Sequence, residues 1–163
     1  MDVAVLIGSE SDYDIIKEAL DLLKQFGVSH GLEVTSVHRS PERTRKLIAD
    51  FEEDGVKVFI AVAGKAAHLA GFVAAHTSAP VIGVPVESAG LAGLDALLST
   101  VQMPKGIPVA TMGLGQAGAS NAALLSVQIL SLKNPRLKKR LEEYRKNLAA
   151  QVEKTSNKIR RQR

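Results

Sequence analysis

Near its start the chain reads Val3-Ala4-Val5-Leu6-Ile7-Gly8-Ser9-Glu10-Ser11-Asp12. The run Val3–Ile7 is apolar throughout, which is typical of a strand that is buried on both faces of a parallel sheet. Gly8 allows a sharp turn after that strand. The following residues, Asp12–Phe26, place apolar side chains on one helical face, and Gly27 is suited to the helix end. The segment therefore predicts a strand, a tight turn and a helix.

The same order recurs along the chain. Further strands are predicted at Glu33–Val37, Val58–Val62, Val81–Val86 and Pro108–Met112, and further helices at Pro41–Asp54, Ala66–Thr77, Leu91–Val101 and Ala119–Leu132. This alternation predicts an α/β fold of three layers, α/β/α, around a five-stranded parallel sheet. Its strand order cannot be read from the pattern. With no linker or repeat, residues 1–163 are expected to form a single domain with a C-terminal helical extension.

Composition narrows the class of protein. The 163 residues are 45% hydrophobic and 23% charged, which is ordinary for a soluble globular protein. Cysteine is absent, so disulfides and thiolate chemistry are excluded. No stretch resembles a signal peptide or a membrane span. We therefore expect a cytoplasmic enzyme with no membrane partner.

The positive charge is concentrated at the C-terminal end. Residues 133–163 contain 12 Lys and Arg against 3 Asp and Glu, whereas the rest of the chain is net negative. Such a tail could bind nucleic acid. However, its apolar residues recur at helical spacing after Asn134-Pro135, and the chain is only 4% aromatic, which is poor for base stacking. We expect a basic helix that packs on its own domain or on neighbouring subunits, and no nucleic-acid partner.

The first turn, Gly8–Asp12, is a candidate ligand site. Ser9, Ser11 and the free N–H groups at a helix start could hold a phosphate. The carboxylate of Asp12 would repel phosphate and is better suited to sugar hydroxyls. Ordinary helix capping by Ser and Asp is the alternative.

The second turn is Ser36-Val37-His38-Arg39-Ser40-Pro41. The planar guanidinium of Arg39 is suited to phosphate, and the imidazole of His38 is suited to proton transfer near neutral pH. Pro41 fits the first turn of the next helix. A surface histidine beside a solvated arginine is the alternative.

Two more turns could line the same edge of the sheet. The segment Ala63–Gly71 combines small residues with Lys65 and His68, and could equally be a tight turn with close helix packing. The segments 84–88, 90–93 and 101–106 could form another wall, but their spacing favours generic turns.

One pattern is rejected. Residues 113–118 match G-x-G-x-x-G, the dinucleotide fingerprint, but they follow the last predicted strand and only helix comes after them. No spacing suggests a metal site, and His30 and His76 have no partner pattern.

Taken in order, several segments resemble one family. They are Gly-Ser-x-Ser-Asp at 8–12, Ser-x-His-Arg-Ser-Pro at 36–41, Ala-Ala-His-Leu at 66–69, Val-Gln-Met-Pro-x-Gly-Ile-Pro-Val at 101–109, and Asn-Ala-Ala-Leu at 121–124. Over about residues 3–150 the chain resembles the N5-carboxyaminoimidazole ribonucleotide mutase family of purine synthesis. The resemblance implies a flavodoxin-like sheet, a homo-octamer, a ribonucleotide substrate and no cofactor.

The resemblance also implies residue roles. Ser9, Ser11 and Arg39 would hold the phosphate, Asp12 the ribose hydroxyls, and His38 would be the general acid and base. Ser36, Gly64, Lys65, His68 and Leu69 would be further substrate-binding residues. The family mechanism releases carbon dioxide from a carbamate and recaptures it on ring carbon 4.

Position 65 departs from the family pattern. The mutase branch usually has Gly where this chain has Lys65, and a basic residue there is similar to a related branch that carboxylates aminoimidazole ribonucleotide directly. That branch usually lacks the histidine at position 68. Lys65 either attracts the migrating carboxylate or faces solvent. A direct carboxylase and a non-catalytic flavodoxin-like nucleotide-binding module are the competing functions.

Overall fold

A computed structural model of the chain describes residues 1–88 and 90–162. It contains a five-stranded sheet in which every pair of neighbouring strands is parallel, in the order β2-β1-β3-β4-β5. The strands are β1 (Val3–Ile7), β2 (His30–Val34), β3 (Val58–Gly64), β4 (Val81–Val86) and β5 (Ala110–Thr111). The predicted three-layer, flavodoxin-like α/β architecture is confirmed.

The described residues also form six α-helices, one after each strand and a sixth that follows the fifth helix. They are α1 (Tyr13–Gln25, after a 3₁₀ turn at Glu10–Asp12), α2 (Pro41–Glu53), α3 (Leu69–Ala74), α4 (Leu94–Val101), α5 (Gly115–Ser131) and α6 (Pro135–Arg160). Within residues 1–88 and 90–162, no helix is both long and apolar enough to cross a lipid bilayer.

The core lies around the central strands. All five residues of β1 are buried, and so are Val58–Val62 of β3. Strands buried on both faces need no alternation of polar and apolar residues, which explains their continuous apolar runs. Phe59, Leu6 and Ile48 are among the largest fully buried side chains of this core.

The described chain forms two compact units, the first ending at Ser126 and the second starting at Val127. In the second unit, α6 begins as predicted at Asn134-Pro135, and the Asn134 side chain accepts a hydrogen bond from the Leu137 N–H at 3.1 Å. The single domain over residues 1–163, and the packing of the tail on neighbouring subunits, stay predictions.

Several predicted boundaries were wrong. The second strand runs from His30 to Val34, not Glu33–Val37, because its ladder with β1 already begins at the pair Val3–His30. The third helix was predicted over Ala66–Thr77, but the residues before Leu69 form a tight loop instead. The fifth strand has only two residues. Pairing across the sheet, rather than local β propensity, decided where the two strands begin and end.

Candidate active site

A cavity of about 500 Å³ lies at the carboxyl ends of four strands. Open parallel sheets bind ligands at this edge, next to the point at which the strand order reverses. In the order β2-β1-β3-β4-β5 that point lies between β1 and β3. All ten residues predicted to form the site line this cavity. They are Ser9, Ser11, Asp12, Ser36, His38, Arg39, Gly64, Lys65, His68 and Leu69.

The first turn combines hydroxyls with a buried carboxyl group. Ser9 Oγ accepts hydrogen bonds from the Ser11 N–H at 3.4 Å and from the Ser11 hydroxyl at 3.0 Å. Asp12 is 94% buried, since only 6% of its surface is exposed. Burial raises the pKa of Asp12, and hydrogen bonds from the backbone of Ser9 and Gly8 oppose that rise.

The second turn is stabilised by hydrogen bonds of two buried hydroxyl groups. The Thr35 and Thr44 hydroxyls are 2.7 Å apart, and the Thr44 hydroxyl donates to the Ser40 carbonyl at 3.1 Å. The Ser36 carbonyl accepts from the Ser40 N–H at 2.8 Å. These bonds tie the end of β2 to the start of α2, so the intervening loop presents Arg39 at the cavity.

The guanidinium of Arg39 is available for a ligand. Its side chain is exposed and lines the cavity. Among the carboxylates of residues 1–88 and 90–162, none forms an ion pair with it. Phosphate and carboxylate are the anions that a planar guanidinium binds through paired hydrogen bonds.

Two histidines from different loops meet at the cavity. His38 Nε2 lies 2.8 Å from His68 Nδ1, and the rings pack edge to face with centroids 4.9 Å apart. One nitrogen must donate and the other accept, so this contact requires that at least one of the facing nitrogens lacks a proton. The pair is therefore arranged to hold and pass a proton.

The third turn has an unusual backbone. Lys65 has φ of +55°, a left-handed conformation that non-glycine residues rarely adopt. Gly64 precedes it, and a Cβ there would approach the Val86 carbonyl oxygen at 3.2 Å. The loop thus passes close to the end of β4 before Leu69 enters the core.

The sequence allowed a further wall at residues 84–88 but favoured a generic turn there. Val86, Glu87 and Ser88 line the cavity, so this segment does form a wall. The Ser88 hydroxyl is buried and has no hydrogen-bond partner in the described chain. The available signal was position, because these residues lie at the carboxyl end of a parallel strand, as the other three turns do. Ile15, Thr35, Val37, Ala63 and Ala66 also line the cavity.

The glycines of 113–118 have a structural explanation. A Cβ on Gly118 would overlap the carbonyl oxygen of Gly113, so the pattern serves a close approach of the backbone at the start of α5. None of these residues lines the cavity.

The other two histidines make local hydrogen bonds. The His30 ring donates to the Val28 carbonyl at 3.0 Å, and the His76 ring donates to the Phe72 carbonyl at 2.8 Å. In the described part of the chain, no group of three His, Cys, Asp or Glu residues could hold a metal ion.

The fold and cavity define a flavodoxin-like α/β protein whose sheet edge carries an exposed arginine, serine hydroxyls and a histidine pair. A sequence profile of AIR carboxylase matches residues 2–151, and the chain belongs to this family. It is 51% identical over 146 residues to the N5-carboxyaminoimidazole ribonucleotide mutase of Pyrococcus abyssi, spanning 90% of this chain and 83% of that protein. The mutase of Escherichia coli K12 is 49% identical, spanning 88% and 85%.

Solved structures agree with the sequence relatives. The crystal structure of Treponema denticola PurE superposes with a TM-score of 0.87 at 29% identity, covering 96% of each chain. The similarity therefore extends over the whole fold and not only over the motifs at the cavity.

Proposed function

We propose that this chain is an isomerase that converts N5-carboxyaminoimidazole ribonucleotide into 4-carboxy-5-aminoimidazole ribonucleotide in purine biosynthesis. The observation that carries the proposal is the His38–His68 contact of 2.8 Å beside an anion-binding turn. Relatives that span most of the chain are named as mutases for this reaction, which favours the mutase over the direct carboxylase.

The nucleotide is held at its phosphate and ribose. Ser9, Ser11 and Arg39 bind the phosphate: the Ser9 hydroxyl and the exposed guanidinium offer donors at the same cavity, and the Ser11 hydroxyl turns from Ser9 to the phosphate when the ligand binds. Asp12 accepts hydrogen bonds from the ribose hydroxyls, which replace the water that its carboxylate loses on burial. Ser36, which accepts a hydrogen bond from the Arg39 N–H at 3.4 Å, also lines the cavity, and Leu69 supplies apolar contact to the substrate.

His38 moves the proton in both halves of the reaction. Protonated His38 gives its proton to the exocyclic nitrogen as the N–C bond of the carbamate breaks and carbon dioxide leaves. Ring carbon 4 then attacks carbon dioxide, and the C–H bond that must break returns its proton to His38. The ring ends each cycle in its starting form, and no net proton is consumed.

His68 orients the His38 ring. The edge-to-face arrangement fixes one nitrogen of His38 against His68 and leaves the other directed elsewhere. Retaining carbon dioxide beside the substrate makes recapture effectively intramolecular, an advantage that can reach several kcal/mol. Exclusion of bulk water limits loss of that intermediate.

The test compares two histidine variants. His38→Asn is expected to lower turnover of the carbamate by at least about 100-fold, the usual contribution of a general acid and base. His76→Asn is the matched control, because the His76 ring bonds the Phe72 carbonyl and does not line the cavity. Full turnover in the His38 variant would refute the role of His38, whereas a wild type without turnover would support the non-catalytic nucleotide-binding module instead. Efficient use of aminoimidazole ribonucleotide and bicarbonate by the wild type would identify the direct carboxylase.

We also propose a homo-octamer in the cytoplasm, with no membrane or nucleic-acid partner and no cofactor. Self-association is supported by an apolar stripe along α4 and the turn before it. Leu91, Leu94, Leu98 and Val101 are each 47–62% exposed in the single chain. Solvent-exposed leucines at successive helical turns are typical of an interface. Light scattering should give eight times the mass of one chain, and a monomer would contradict the proposal.

A further inference from the structure

We propose that Lys65 and Ser88 form a carboxylate subsite that holds the group that migrates during the reaction. This inference rests on the proposed function, because it assigns a contact to the same substrate. Three independent features of the structure support it: the backbone of Lys65, the unpaired hydroxyl of Ser88, and the position of both residues in the sheet.

The backbone at Lys65 indicates that its side chain has a role. A left-handed φ of +55° is unfavourable for lysine, whereas glycine adopts it without steric conflict. Strained conformations of this kind persist mainly at functional sites. The Lys65 carbonyl accepts a hydrogen bond from the Ala67 N–H at 2.8 Å, which closes a tight turn after this residue.

The ammonium group of Lys65 has no counter-ion within the part of the chain that the structure describes. No carboxylate in residues 1–88 and 90–162 lies within ion-pair distance of it. Asp12 and Glu87 are the acidic residues that line the cavity, and neither is bonded to Lys65. A cation that lines a cavity and is unpaired there is suited to an anionic group of the ligand.

Ser88 supplies the second donor. Its hydroxyl is buried and has no hydrogen-bond partner among residues 1–88 and 90–162, which is unfavourable unless a ligand provides one. Its Cβ lies 3.9 Å from the place where a Cβ on Gly64 would stand, so Ser88 packs directly over the residue that precedes Lys65. An ammonium and a hydroxyl from two adjacent loops of one cavity provide a donor for each of the two oxygens of a carboxylate.

The order of strands separates this subsite from the phosphate. The phosphate-binding residues follow β1 and β2, whereas Lys65 and Ser88 follow β3 and β4. In the sheet order β2-β1-β3-β4 these pairs lie at opposite ends of the cavity. A nucleotide anchored by its phosphate at one end therefore directs its carboxylated ring towards the other.

The subsite makes a specific claim about recognition. Substrate and product both carry the carboxylate, and aminoimidazole ribonucleotide does not. Lys65 and Ser88 should therefore increase affinity for the carboxylated product without affecting affinity for aminoimidazole ribonucleotide. A role of Lys65 in general electrostatic attraction would instead change both affinities, because both ligands carry a phosphate.

Isothermal titration of these two ligands distinguishes the possibilities. We expect Lys65→Met to weaken binding of the carboxylated product about tenfold, as for loss of one charge-assisted contact at an exposed position. Ser88→Ala should weaken it about threefold, and aminoimidazole ribonucleotide should bind each variant within about twofold of wild type. Lys105→Met is the matched control, since this exposed lysine lies outside the cavity.

Equal weakening of both ligands, or no change in either, would overturn the inference. Lys65→Gly repeats the test with an unstrained backbone, so a failure of Lys65→Met to fold does not end it. The proposed function is judged separately by turnover of the carbamate in the wild type. A wild type without turnover refutes the function, whereas an active wild type with an unchanged ligand preference in the variants refutes only the subsite.

Discussion

Replacement of Thr44 by valine removes the link beneath the loop that carries His38. Thr44 is fully buried, and its hydroxyl donates to the Ser40 carbonyl. Because its single proton is used there, the Thr35 hydroxyl must be the donor in the 2.7 Å contact with Thr44. Valine has nearly the same shape as threonine, so Thr44→Val removes the acceptor without leaving a cavity.

The expected loss of stability follows from this geometry. The Ser40 carbonyl keeps its bond from the Thr44 N–H at 3.1 Å, so it is not left unpaired. The Thr35 hydroxyl, in a residue only 3% exposed, loses its acceptor. One lost hydrogen bond and one unpaired buried donor together cost about 2 kcal/mol of the free energy of unfolding. In a chain of this length that corresponds to a fall of about 4–8 °C in Tm.

The double variant Thr35→Val/Thr44→Val sharpens the test. It removes the unpaired donor along with its acceptor, so about half of the lost stability should return. Urea unfolding followed by circular dichroism measures the free energy of unfolding of both variants, of the wild type and of a control. Thr155→Val is the control, because this exposed threonine also donates to a helix carbonyl, that of Gln151 at 2.9 Å. A double variant less stable than Thr44→Val would refute the reasoning.

Two further predictions concern stability. Lys65→Gly should raise the free energy of unfolding by about 0.5–1 kcal/mol, because glycine relieves the left-handed backbone. Ala66→Gly, at the next position, should lower the free energy of unfolding by a similar amount. Thermal unfolding of both variants tests this prediction, and equal effects of the two substitutions would contradict it. A lowered pKa at Asp2, caused by hydrogen bonds from Lys57 and then Ser29, predicts stability that is present above the ordinary pKa of 3.8 and lost as the pH falls through the lowered folded value. Asp2→Asn should therefore be less stable than wild type by about 1 kcal/mol at pH 7 and nearly equal to it at pH 2, and a pH-independent difference in urea unfolding would count against this account.

Local pattern was sufficient for much of the fold. The strands Val3–Ile7 and Val81–Val86 agree with their predicted bounds, because runs of apolar residues between turn-forming residues leave little choice of structure. The start of α6 was equally clear, since Asn134 caps it and Pro135 fits its first turn. The candidate turns followed from the rule that ligands bind at the carboxyl edge of a parallel sheet.

The sequence by itself determined the α/β class, three turns that could bind a ligand and the residue types suited to phosphate and proton transfer. Only the tertiary structure decided that His38 and His68, which are 30 residues apart, meet at 2.8 Å, because this depends on a strand order that no local pattern encodes. The left-handed backbone of Lys65 and the unpaired hydroxyl of Ser88 also emerged only there. Both result from how neighbouring loops pack against each other, and packing is a property of the whole fold rather than of any one segment.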